Sequence, residues 1–141
     1  MTTDTTFTRV DPELQPILED LSSREPIFHT ERFGRCLEDF ERSTAPDFWE
    51  VGASGRRYSR DFILGMRSRE ELVDADAAGW KASAFALRRL APDCFLLTYT
   101  LDQAGRLTRR ATIWEKMLEG WRIVYHQGTV VTAQEDNAVP E

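Results

Sequence analysis

The stretch that most constrains this chain is Arg109 to Thr129, RRATIWEKMLEGWRIVYHQGT. Its two runs, Arg109 to Lys116 and Trp121 to Val131, are rich in β-branched and aromatic residues, which suit a pleated surface packed on at least one side. Between them stands Met117-Leu118-Glu119-Gly120. Gly120 takes positive φ without a Cβ clash, so the spacing predicts a type I turn closed by a glycine bulge. That turn sets Met117 opposite Trp121, Trp114 opposite Val124 and Thr112 opposite His126. Alternation then puts Arg110, Thr112, Trp114, Val124 and His126 on one face, and Ala111, Ile113, Trp121, Ile123 and Tyr125 on the other. A slip of one residue would exchange these partners. The first face mixes arginine, histidine and tryptophan, as ligand pockets do. The second is apolar and suits helices or a second subunit.

Upstream, the pattern is helical. Asp11-Pro12-Glu13 starts a helix with Asp as N-cap and Pro at the first position. Leu14, Ile17, Leu18 and Leu21 follow as one apolar stripe. Pro26 kinks or restarts that helix, and Ile27 and Phe28 anchor the chain just after it. A short helix is expected over Arg35 to Ser43, with Leu37 and Phe40 inward. Asp47 to Val51 reads as a short strand, Ala53-Ser54-Gly55 as a turn, and Ser59 as the cap of a helix from Arg60 to about Arg67. Ser68-Arg69-Glu70-Glu71 fits a capping box, giving a further turn to Val73. From Trp80 the chain reads as strands, Trp80 to Leu90 and Cys94 to Asp102, before the hairpin. Helices followed by strands argue an α+β fold, with N-terminal helices packed on one face of an antiparallel sheet; a strongly bent sheet wrapped around a helix would leave a conical cavity. The expected boundaries are a loose segment over 1–10, one domain over 11–132 and a disordered acidic tail over 133–141.

Composition excludes some functions. The 141 residues give one domain with room for a real core. A net charge of −6 argues against nucleic acid and anionic membrane as partners. No apolar run reaches the length of a spanning helix, and the N-terminus lacks the pattern of a signal peptide. Cys36 and Cys94 stand far apart and outside any C-x-x-C pair, so free thiols in a reducing cytoplasm are expected. No metal-ligand spacing, phosphate loop or Ser-His-Asp order is present. We expect neither metal nor cofactor.

The segments DFWEVGASGRRYSRDFIL (47–64), RRATIW (109–114) and WRIVYHQGT (121–129) resemble, in order and spacing, the bacterial domain-of-unknown-function branch of the nuclear-transport-factor-2-like superfamily. SnoaL-type cyclases, ketosteroid isomerase and scytalone dehydratase belong to that superfamily. With the leading helix, the resemblance spans about residues 12–131. It implies a cone with a bent sheet, an internal pocket and a homodimer formed through the sheet. It places Arg110, Thr112, Trp114 and His126 toward the pocket, with Phe48 and Glu50 of the short strand pointing the same way. The isomerase's aspartate base would fall near Gly52, which has no carboxylate, so that reaction does not carry over. The dehydratase's His/Asp arrangement is not recognisable either.

Two roles stay open for Glu50: an ion pair with Arg110 that orients the wall, or a general base. His126 is either a satisfied hydrogen-bonder or, beside a carboxylate, a proton shuttle near neutral pH. Trp114 is a stacking wall or core. Tyr58, Tyr99 and Gln127 are further hydrogen-bonders, whereas His29 reads as a helix-end residue. The resulting expectation is a protein that binds a small, largely apolar molecule in an internal pocket. Any chemistry would be cofactor-free acid–base work by His126 or Glu50, with Arg110 steadying an oxyanion. The alternative is a non-enzymatic dimeric module whose pocket is closed by Phe48, Trp114 and neighbouring aromatics.

Overall fold

A computed structural model describes residues 5–69, 73–132 and 136–137. Asp11 caps the entry, its carboxylate accepting the Glu13 backbone N–H at 3.1 Å. A 3-10 turn over Pro12–Leu14 leads into α1, Gln15–Ser22. The helix α2 is Leu37–Arg42, and β1 is Thr44–Val51. A short strand β2, Arg57–Ser59, precedes α3, Arg60–Arg69, and the remaining strands are β3 (Lys81–Ala91), β4 (Cys94–Gln103), β5 (Arg106–Met117) and β6 (Gly120–Val130). Ser59 caps α3 by accepting the Phe62 N–H at 3.2 Å. The capping box expected at 68–71 is not a new start where it can be followed: Ser68 and Arg69 continue α3, and residues 70–72 lie outside the described residues. Of the expected acidic tail, only residues 136 and 137 are described beyond residue 132.

The architecture is α+β, with one six-stranded sheet in the order β2-β1-β6-β5-β4-β3. The expectation of an antiparallel sheet needs one correction. Pairs β3–β4, β4–β5, β5–β6 and β1–β2 are antiparallel, but β1 runs parallel to β6. The strand β1 comes from the helical half of the chain rather than from a hairpin with β6, so no tight turn dictates its direction.

The opening hairpin also departs from its predicted register. Met117 pairs with Gly120 rather than with Trp121, leaving Leu118-Glu119 as the turn, and Gly120 sits at φ 137°. A second irregularity, between Ile113 and Trp114, offsets the first, so Trp114 faces Ile123 while Thr112 still faces His126. A bulge of one extra residue reverses the facing of everything on one side of it. Trp121 and Ile123 therefore share the buried face with Trp114, not the open face with Ile113 and Tyr125. Val124, at the bulge, packs partly against the core.

The helices and the loops between them cover one face of the sheet. Leu18, Leu21, Ile27, Phe28, Phe33, Phe40, Phe48 and Ile63 meet Phe95, Leu97, Leu101, Trp114 and Ile123 there. Phe28 is central, with its ring 4.8 Å from Phe33, 5.2 Å from Phe40 and 6.5 Å from Phe48. Its backbone stands at φ 67°, a conformation a bulky side chain adopts only when packing fixes it. Asp20 on α1 ties this layer together, taking bonds from Arg32 at 2.8 Å, Arg24 at 3.0 Å and Trp121 Nε1 at 3.2 Å. Partial burial opposes its charge, but these donors hold its carboxyl below the usual range.

Candidate functional site

The covered face of β5 and β6 carries Thr108, Arg110, Thr112 and Trp114 alongside Ile123, His126 and Gly128. Opposite them is a residue that hairpin patterning does not single out, Glu25. Its carboxylate is only 5% exposed and lies among apolar side chains. Tyr99 Oη donates to Glu25 Oε1 at 2.7 Å, and Trp114 Nε1 donates to Oε2 at 3.0 Å. Burial pushes the Glu25 carboxyl above its ordinary value, against the bonds from Thr112, Tyr99, Trp114 and the Ile27 backbone that favour its charged form. Desolvation and the neighbouring carboxylate push the Tyr99 phenol up. A signal for Glu25 does exist in the sequence. It stands between Leu21 and Ile27-Phe28, directly before Pro26, where the chain leaves the helix and can turn an acid inward.

Thr112 connects this cluster to His126: its Oγ1 lies 2.7 Å from His126 Nδ1. The imidazole is 2% exposed, and its pKa falls to about 3, first by burial and then by the nearby Arg110 charge. A histidine with a pKa so lowered favours the neutral form near pH 7. Where Thr112 donates to Glu25, its oxygen is left to accept from His126 Nδ1–H. That arrangement puts the neutral ring in one tautomer.

Arg110 is half-buried. Its Nε donates to Thr108 Oγ1 at 2.8 Å, and a terminal nitrogen reaches Gln103 Oε1 at 3.4 Å. Burial lowers its pKa, while Tyr99, Glu50 and Glu25 act in the opposite sense. The guanidinium lies against Gly128, where an added Cβ would meet its atoms at 3.1 to 3.3 Å. Glu50 is half-buried and registers opposite both Tyr58 on β2 and His126 on β6. The Tyr58 ring stacks on Phe62 at 5.5 Å and closes over Gly52, where a Cβ would meet Tyr58 Cε2 at 2.9 Å. The position resembling an isomerase base is thus filled by an aromatic ring.

The residues singled out from sequence therefore fall into two groups. Thr112, Trp114, Tyr99, Phe48 and His126 are buried together, with Arg110 beside them. Glu50 and Tyr58 sit at the β1–β2 end. Gln127 lies on the opposite, open face, where it accepts from Tyr125 Oη at 2.6 Å. The interior around Trp114 is packed: Phe33 lies 6.1 Å from its indole.

A cavity lies on the other face of the sheet. A groove of about 1300 Å³ runs along the open face of β3 to β6. Ala86, Thr98, Ala111, Ile113 and Tyr125 form its floor, and residues 6–9 and Asp11 form one wall. Tyr99 and Arg110 border it, so the buried cluster reaches its edge. Trp49, 44% exposed, packs edge-on at 5.0 Å against Tyr125 beside this floor. Among the described residues no group of His, Cys, Asp and Glu is placed to hold a metal ion, both cysteines are free, and no helix is long and apolar enough to cross a membrane.

No family model matches the chain, and no curated protein matches it. Solved structures do. A cystatin-like fold protein from Burkholderia xenovorans superposes with a TM-score of 0.62 at 16% identity, covering 85% of this chain and 96% of that one. An NTF2-like protein from Cytophaga hutchinsonii gives 0.60 at 10% identity, covering 86% and 100%. A protein of unknown function from the DUF3225 family of Pectobacterium atrosepticum gives 0.59 at 18% identity, covering 84% and 93%. At such identities the likeness concerns the fold, and with the helical layer and six-stranded sheet described above it shows that this chain has the nuclear-transport-factor-2-like, cystatin-like α+β fold.

Proposed function

We propose that this protein is a binding module that takes a small, partly apolar molecule in the groove on the open face of its sheet, and that its buried polar cluster is architectural. The observation that carries this is the state of His126. A ring 2% exposed and bonded to Thr112 at 2.7 Å, its pKa pulled down by burial, is a strut rather than a proton shuttle. The packing of Phe28, Phe33, Phe48 and Trp114 supports the same reading, since it leaves the space beside them to aromatic rings rather than to a ligand. The groove offers volume, an apolar floor and polar side chains at Arg109 and Gln127.

A thermal-shift screen against a broad metabolite library tests this, since a ligand that binds only the folded state raises its apparent stability by mass action. Ala111→Trp, which fills the floor, should abolish the shifts while leaving the fold intact by circular dichroism. Shifts that survive Ala111→Trp, or none with any compound, would overturn the reading.

One observation favours a second reading. Exposed Trp49 and half-buried Tyr125 form an aromatic pair beside the floor, the composition of a contact between subunits. On that reading the same face pairs with a second copy of the chain. Light scattering of the unliganded protein separates the two, because a dimer that Tyr125→Asp dissociates would place the groove inside an interface.

A further inference from the structure

The chain carries a net charge of −6, yet its groove has the opposite sign: five arginines, at positions 9, 88, 89, 109 and 110, line it against two carboxylates, Asp11 and Asp136. We infer that the groove selects an amphipathic carboxylate, whose head group sits on Arg109 and whose apolar body lies along Thr98, Ala111 and Ile113. This deepens the groove-binding reading above and rests on it.

Three observations lead to this assignment. Arg109 is aimed and held: its side chain donates to Thr100 Oγ1 at 2.6 Å, which fixes the guanidinium at one end of the floor. A carboxylate already visits that place, because Asp136 Oδ1 lies 3.5 Å from Arg109 Nη2 and Asp136 itself lines the groove. That pair is exposed on both sides, so it is weak and readily exchanged for an external carboxylate. The floor leading away from Arg109 is short-chained and apolar. Sheet pairing puts Arg109 opposite Thr100, then Ala111 opposite Thr98, then Ile113 opposite Leu96, in successive rows. Rows on one face repeat every second residue, roughly 7 Å apart. A body of about six to eight carbons covers one such interval, from the Ala111 row to the Ile113 row, with Arg88 at the far row beside Leu96. Among the described residues Arg88 makes no ion pair, so it adds to the positive field along the groove.

Calorimetric titration of octanoate and octanamide into the wild-type protein tests the inference, since the two differ in head-group charge and little else. Octanoate should bind about two- to fivefold tighter, the worth of an exposed ion pair. The preference should fall as salt rises. Arg109→Gln should erase it, and Asp136→Asn should strengthen octanoate binding by removing the competing carboxylate. Equal binding of the two probes would overturn the carboxylate assignment and leave the groove reading standing. Failure of both probes to bind would overturn the two together. An octanoate preference that persists in Arg109→Gln would put the anion elsewhere and refute the assignment to Arg109.

Discussion

The Tyr99 hydroxyl donates to Glu25 Oε1 at 2.7 Å across 74 residues of sequence, and this bond joins the loop after α1 to the middle of the sheet. Trp114 completes the grip from the next strand. A buried carboxylate without an arginine or lysine in contact is costly unless its oxygens are satisfied, and these are. Replacement by alanine orphans a phenol and an indole N–H at once. At about 1–3 kcal/mol for each unsatisfied group, Glu25→Ala should lose roughly 2 to 6 kcal/mol by urea denaturation. A loss below about 1 kcal/mol would show that the cluster does not hold the helical layer to the sheet.

The same carboxyl makes stability depend on pH in a direction that can be worked out. Its folded-state pKa lies above the ordinary 4.5, so between those values the native state binds more protons than the unfolded chain. The Glu25 contribution is therefore complete below about 4.5 and is lost as pH rises through the folded pKa. Glu25→Gln cannot titrate. The difference in stability between wild type and Glu25→Gln should shift against the wild type as pH rises from 4.5. Parallel curves would contradict the raised pKa.

The fold was largely legible in the sequence because its signals are local. Asp11-Pro12, the apolar stripe of α1, Ser59 and the alternation of β4 each follow from side chains a few residues apart. Register was less legible. The bulge at Ile113/Trp114 has no glycine or proline to announce it; it exists because Trp114, Trp121 and Ile123 all find room on the covered face. The candidate site was legible only in part for the same reason. Thr112 and His126 were paired correctly by counting from a turn that was itself one residue off. Glu25 was invisible to hairpin logic, because its partners Tyr99 and Trp114 are supplied by strands far along the chain. The groove depends on the open face of four strands together, which no single stretch reveals.

Ile123 shows the practical effect of that shift. Read as an open-face residue, it would be the place to break a dimer. It is instead fully buried beneath the helices. Ile123→Asp puts an unpaired charge in the core and should leave the chain unfolded by circular dichroism, a cost above about 4 kcal/mol. Tyr125→Asp, on the opposite face, should leave the chain folded. A folded Ile123→Asp variant would refute the pairing of Trp114 with Ile123.

Arg110 and Gly128 form a second coupled pair. Alanine in a strand ordinarily gains about 0.5–1 kcal/mol over glycine. At 128 the new methyl meets the guanidinium at 3.1 to 3.3 Å, and Arg110 is held by Thr108. Gly128→Ala should therefore fail to stabilise the wild type, yet stabilise Arg110→Ala. A double-mutant cycle by urea denaturation should return an interaction energy of roughly 1 kcal/mol. Additive effects would mean the guanidinium does not rest on Gly128 in solution.

His126 gives the pH dependence of opposite sign. Its folded-state pKa is about 3 against 6.5 for an unperturbed histidine, so in that interval the unfolded chain binds a proton that the native state refuses. The stability this represents is intact above 6.5 and is lost as pH falls toward 3. At about 1.4 kcal/mol per unit, the full interval amounts to roughly 5 kcal/mol, the largest acid-labile contribution in the buried cluster. His126→Asn keeps a polar atom near the Nδ1 position for Thr112 but cannot take up the proton. Asparagine should therefore cost stability at pH 7, where the imidazole packs neutral, and the wild-type advantage should shrink or reverse near pH 4. The measurement is the stability of both proteins at the two pH values. A wild-type advantage that stays constant would mean that the imidazole is not held neutral, and a proton-shuttle role for His126 would stand again.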